Sequence, residues 1–172
     1  MNSTKPRFVA TLMMMCATFS AAADLGLAFV NDLWDGKTIP AGQQCRKFGG
    51  TGGTPGLRVS SIPPDANALV MEFSDRTYTP MDQGGHGKLG YRIEAGTAET
   101  IIPTVPPHTT DLPEGFWTVA PHGAPGWDTA GAYLPPCSGG KGNEYYVTVK
   151  AVTKEDDRLR VITEAVLEMG TY

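Results

Sequence analysis

After its first two dozen residues the sequence has no apolar run near the roughly 20 residues that a membrane-spanning helix needs. No integral membrane segment is therefore expected in residues 24–172. Cysteine is scarce, with three in the chain: Cys16, Cys45 and Cys137. Cys45 and Cys137 lie 92 positions apart, whereas a zinc site wants closely spaced ligand pairs. Positive charge is also short, at 14 Lys and Arg against 18 Asp and Glu. An acidic chain repels a phosphate backbone, so a nucleic-acid partner is not expected. Ser60, Ser61, Ser74 and Ser138 include no G-x-S-x-G elbow. The glycine-rich stretch 49–56 has no Lys-Ser/Thr or helix pattern after it, and reads as a flexible loop rather than a phosphate cradle. Four of the seven methionines, Met1 and Met13–Met15, fall in the first 15 residues, leaving no Met-rich copper motif. Neither a metal nor a cofactor is expected, and no internal repeat is visible.

Residues 1–23 have the three parts of a cleavable export signal. Lys5 and Arg7 open it, Phe8 to Phe19 is mostly apolar and uncharged, and Ala21–Ala23 supply small residues before Asp24. Cleavage would leave residues 24–172 as a single domain, periplasmic or secreted. Removing Lys5 and Arg7 takes 14 basic residues to 12 against 18 acidic, a net charge of −6. In an oxidising compartment the remaining pair, Cys45 and Cys137, is most simply a disulfide; two buried reduced thiols are the alternative.

Glycine and proline punctuate the chain every several residues, which suits short strands joined by turns. Strands are expected at Leu25–Val30, Leu57–Ser60, Lys88–Ile93 and Thr100–Ile102. Ala66–Phe73 is apolar enough for a central strand buried on both faces, and Tyr145–Val152 alternates with the period of a half-buried strand. Pro103 to Pro121 reads as irregular. In the tail, Leu159, Ile162, Ala165, Val166 and Met169 recur at helical spacing behind acidic residues, which predicts a helix over 157–169. The fold expected is mainly β, an antiparallel sandwich with a few short peripheral helices, one of them near the C-terminus.

Several segments resemble, in order, the phosphatidylethanolamine-binding protein family, in its bacterial Raf-kinase-inhibitor-like branch. Gly36 to Pro40 followed by Cys45 resembles G-x-IP-x-x-x-TC, and Thr54 to Leu57 with Pro63 resembles SPPL-x-W-x-x-x-P. Asp75 stands at the first Asp of the DPDAP motif, with His86 eleven residues on at the position of a pocket His. Thr109 to Gly115 resembles TTSLPEG, and Gly131 to Gly139, with Pro136 and Cys137, resembles GY-x-GPCPPSG. Tyr145 fits the Tyr of HRY, with Asn143 in place of its His, and Ala165 to Tyr172 resembles A-x-L-x-GTY. The resemblance implies a small anion-accepting cavity lined by Asp75, His86, Pro136, Ser138, Gly139, Asn143 and Tyr145.

The same residues suggest that chemistry directly. Asp75 and His86 flank a loop containing Pro80, Gly84 and Gly85, which can bring a carboxylate to an imidazole and hold it cationic. Asn143, Tyr145 and the backbone of Ser138–Gly140 would add donors for a phosphate-sized anion. Alternatively, Asp75 caps a turn and His86 lies exposed on a glycine loop. His108 and His122 read as packing or surface residues. The function expected is an exported binding module for a small anionic ligand, phosphate or a phospholipid head group, with a role as protein inhibitor or modulator open. The alternatives are a protein-interaction or structural domain with a degenerate pocket, and a weak hydrolase using Asp75 and His86; catalysis is the less expected.

Overall fold

The computed structural model describes residues 24–172; the export signal expected over 1–23 lies outside the described residues. Eight strands follow in order: β1 (Gly26–Phe29), β2 (Leu57–Ser60), β3 (Ala68–Asp75), β4 (Lys88–Arg92), β5 (Glu99–Ile102), β6 (Phe116–Ala120), β7 (Glu144–Glu155) and β8 (Arg158–Thr171). Two short 3-10 turns, Arg46–Phe48 and Thr79–Met81, are the helical elements among these residues, and no helix among them is long and apolar enough to cross a membrane. The strands form two antiparallel sheets, ordered β1-β2-β5 and β6-β4-β3-β7-β8. Between them lies the core. Leu57, Val59 and Ile102 come from the small sheet, and Leu69, Met71, Phe73, Leu89, Val147 and Val149 from the large one. Each of these apolar side chains contributes roughly 1.5–3 kcal/mol by leaving water.

β3 is the central strand that its composition implied. Leu69, Met71 and Phe73 enter the main core, while Ala68 and Val70 join Val152 in a second apolar cluster on the opposite face of the sheet. Trp117 and Val119 of β6 close that cluster. Gly90 makes this possible, because a Cβ there would stand 2.1 Å from the Trp117 ring.

Two readings of the sequence need correction. The stretch expected to be irregular contains β6, which pairs with β4 at the edge of the large sheet. The helix expected over 157–169 is instead strand β8, the longest among the described residues. Glu155 pairs with Arg158, so Asp156 and Asp157 are a two-residue hairpin turn rather than the acidic first turn of a helix. Asp156 takes a φ of 51°, a left-handed conformation that Asp tolerates better than most residues. Register shifts at Tyr145/Tyr146 and Ala151/Val152 break the two-residue alternation of β8, so its apolar spacing imitates a helix. β-branched Val161, Ile162, Thr163 and Val166 favour the strand, and β7 offers a ladder along its whole length.

The disulfide is formed between Cys45 and Cys137, with Cα atoms 5.2 Å apart. It ties the 3-10 turn of Arg46–Phe48 to the loop before β7. The Cys45 N–H also donates to the Pro136 carbonyl at 3.0 Å.

Candidate functional site

Where β3 ends and β7 begins, strand register alone brings two of the expected residues together: Asp75 lies opposite Tyr145. The chain then leaves β3 through Arg76 and returns at His86. The His86 N–H donates to the Phe73 carbonyl at 3.0 Å, and its own carbonyl accepts from Leu134 N–H at 2.9 Å. A cleft of about 440 Å³ opens over this corner. Asp75, His86, Ser138, Asn143 and Tyr145 all line it. Pro136 and Gly139, expected in the lining, are not part of it. Pro136 anchors Cys45, and Gly139, at φ 72°, leaves room for the Phe48 ring, which a Cβ there would meet at 2.7 Å.

Asp75 is buried, and its carboxylate is heavily used. Oδ1 accepts from the N–H groups of Thr77 (2.9 Å) and Tyr78 (3.0 Å), and Oδ2 from the Asn143 amide at 2.6 Å. Asp75 therefore caps a turn and also faces the cleft. Asn143 is fixed in turn by paired backbone bonds with Tyr172, each 3.0 Å long.

His86 differs from the sequence expectation in both of its forms. It is neither exposed nor a cation held by Asp75. Its ring is buried, packs edge-on against Tyr145 at 5.3 Å, and places Nδ1 2.8 Å from the Leu134 carbonyl. Burial pushes its pKa down from 6.5 to about 4; the Leu134 carbonyl and the Asp75 charge oppose that shift without cancelling it. The ring is thus neutral near pH 7. A carbonyl only accepts, so Nδ1 carries the hydrogen and Nε2 presents a lone pair. Burial likewise pushes the Tyr145 phenol up to about 12, and the nearby Asp75 charge adds to the effect. Its oxygen accepts the Cys137 N–H at 3.1 Å, and its hydroxyl faces the Asp75 carboxylate as a hydrogen-bond partner. Ser138 donates its hydroxyl to the Tyr172 carbonyl.

The remaining wall was not legible from the sequence. It includes Lys47, Phe48, Tyr78, Met81, Trp127 and Lys141. Lys47 and Lys141 are the cationic side chains of the lining, and Lys47 Nζ lies 4.4 Å from the centre of the Trp127 ring. One signal was available for two of these residues: a Cys45–Cys137 bond must carry Lys47 and Phe48 to the Ser138–Gly140 loop. Trp127 had none.

The other histidines sit elsewhere. His122 is buried, with Nε2 donating to the Thr129 carbonyl at 3.0 Å and Nδ1 accepting Ala124 N–H at 3.2 Å. His108 contacts both carboxylate oxygens of Asp128, at 2.8 and 2.7 Å.

An antiparallel sandwich of five and three strands, with a cleft at the end of its central strand, defines the class. No family model matches the chain, and no curated protein matches it either. Solved structures do, among them these two. A phosphatidylethanolamine-binding protein homolog of Chlamydia trachomatis is 20% identical with a TM-score of 0.51, covering 87% of this chain and 97% of that one. YbcL of Escherichia coli, described as a new member of the mammalian phosphatidylethanolamine-binding protein family, is 18% identical with a TM-score of 0.56, covering 87% and 98%. The chain has the fold of these proteins. At such identities the likeness concerns the fold and not the ligand.

Proposed function

We propose that this protein is an exported binding module whose cleft accepts a small anionic ligand, phosphate or a phosphorylated head group. The observation that carries the reading is the pairing of two lysines, Lys47 and Lys141, with a polar, buried floor of Asp75, His86 and Tyr145 in one cleft. The anion belongs on the lysine side, because the Asp75 carboxylate repels it. The floor then wants a hydrogen from the ligand, since Nε2 of neutral His86 and the Asp75 oxygens are acceptors. A monoprotonated phosphate or a head group with an N–H meets both demands. The disulfide is compatible with an oxidising compartment.

Binding without turnover is supported by two features. Ser138, the hydroxyl nearest in kind to a nucleophile, is turned to the Tyr172 carbonyl. His86, with its pKa near 4, is too weak a base for efficient proton transfer at neutral pH.

Calorimetric titration with inorganic phosphate and with phosphoethanolamine at pH 7 tests the reading. Saturable heat is expected for at least one of them, together with a loss on the order of tenfold or more in a Lys47→Ala/Lys141→Ala variant. His86→Ala should weaken binding at pH 7 through lost hydrogen bonding and not through lost charge. Heat from neither ligand, or unchanged affinity in the double-lysine variant, would end the proposal.

A further inference from the structure

The cleft is larger than its anion-binding corner requires, and its remaining wall has an unusual composition. At about 440 Å³ it falls within the range of pockets that enclose a whole small molecule. Its lining contains Phe48, Tyr78 and Trp127 but no Leu, Ile or Val. These three aromatic residues come from separate parts of the chain: the 3-10 turn held by Cys45, the loop after β3, and the loop between β6 and β7. All three remain well exposed, at 38%, 47% and 37%. The main core next to them is built largely from branched aliphatic residues, so such side chains were available to the fold and are absent from this wall.

Aromatic walls without branched aliphatic neighbours suit a flat partner. Rings stack face to face or edge to face on other rings, and this adds to the area they bury. An acyl chain would bury area against them but would lack this ring–ring term. The rings also lie beside the site's positive charge. Lys47 Nζ sits 4.4 Å from the Trp127 ring centre and 5.7 Å from that of Phe48, so one cation serves both the anion and the aromatic wall.

We infer that the cleft takes an anion carrying a flat aromatic group, an aryl phosphate in its simplest form, with the ring placed among Phe48, Tyr78 and Trp127. This rests on the anion-binding reading of the same cleft and specifies the ligand class for it. The phosphate lies toward Lys47 and Lys141 above the Asp75–His86 floor, and the ring points outward to the mouth.

The test compares dissociation constants for inorganic phosphate, phenyl phosphate and octyl phosphate by calorimetry at pH 7. Phenyl phosphate should bind about tenfold or more tightly than inorganic phosphate, the scale of one good stacking contact, and more tightly than octyl phosphate. In Trp127→Ala, and independently in Tyr78→Ala, the ratio of the phosphate to the phenyl phosphate constant should fall toward one. Trp127→Phe should keep most of that ratio. Equal affinity for phosphate and phenyl phosphate, or a preference for the octyl chain, overturns this inference while leaving the anion reading in place. So does an aryl preference that survives both alanine variants. If none of the three ligands binds, both readings fall.

Discussion

Lowering the pH should unfold this protein earlier than its carboxylates alone would, and His86 is the reason. Its side chain is buried with its Nδ1 hydrogen on the Leu134 carbonyl, and burial brings its pKa from 6.5 to about 4. The unfolded chain titrates normally and takes up a proton that the folded protein refuses. Stability is therefore at its full value above about pH 6.5 and declines as pH falls toward about 4. At about 1.4 kcal/mol for each tenfold difference, the gap is worth on the order of 3 kcal/mol. For a domain of this size that corresponds to roughly 6–12 °C in Tm. Thermal or denaturant unfolding at half-unit steps from pH 7.5 to 4 measures the slope. The same series on His86→Gln isolates the contribution, since Gln can still donate to the Leu134 carbonyl but does not titrate. The variant should be less sensitive to pH in this window by about the stated amount. Two curves that run parallel, or a His86 ring whose NMR titration is centred near 6.5, would refute the argument.

The disulfide closes a loop of 92 residues, for which the chain-entropy model gives roughly 4–5 kcal/mol before strain. A Cys45→Ser/Cys137→Ser variant should lose a large part of that in denaturant unfolding, and intact-mass measurement of exported material should show no free thiol until it is reduced. In the pair of His108 with Asp128, the Asp128 side chain is fully buried and that of His108 is 12% exposed. His108→Ala should cost about 1–3 kcal/mol, because the buried Asp128 carboxylate loses one hydrogen-bond partner and keeps the Thr129 N–H, whereas Asp128→Asn should cost less; equal, negligible losses in both would show that the pair contributes nothing.

Sequence by itself determined the scaffold. Alternation in Tyr145–Val152, the continuous apolar run of Ala66–Phe73 and the glycine and proline spacing all specify strands, because these patterns report which side chains must leave water. Of the seven residues that collinear motifs pointed to, Asp75, His86, Ser138, Asn143 and Tyr145 line one cleft, where strand register brings Asp75 to Tyr145, while Pro136 and Gly139 do not. The pattern failed where pairing changed its period. Register shifts along β7 and β8 gave a strand the spacing of a helix, and an Asp-Asp turn carried the composition of a helix start. Only the tertiary structure decided the electrostatics. Whether His86 is a cation depends on what surrounds its ring, and burial outweighs Asp75, whose oxygens bond to Thr77, Tyr78 and Asn143. The lysines and aromatics of the cleft wall are likewise a tertiary product, because loops far apart in the chain meet there through the disulfide and through sheet packing, and no local pattern records that meeting.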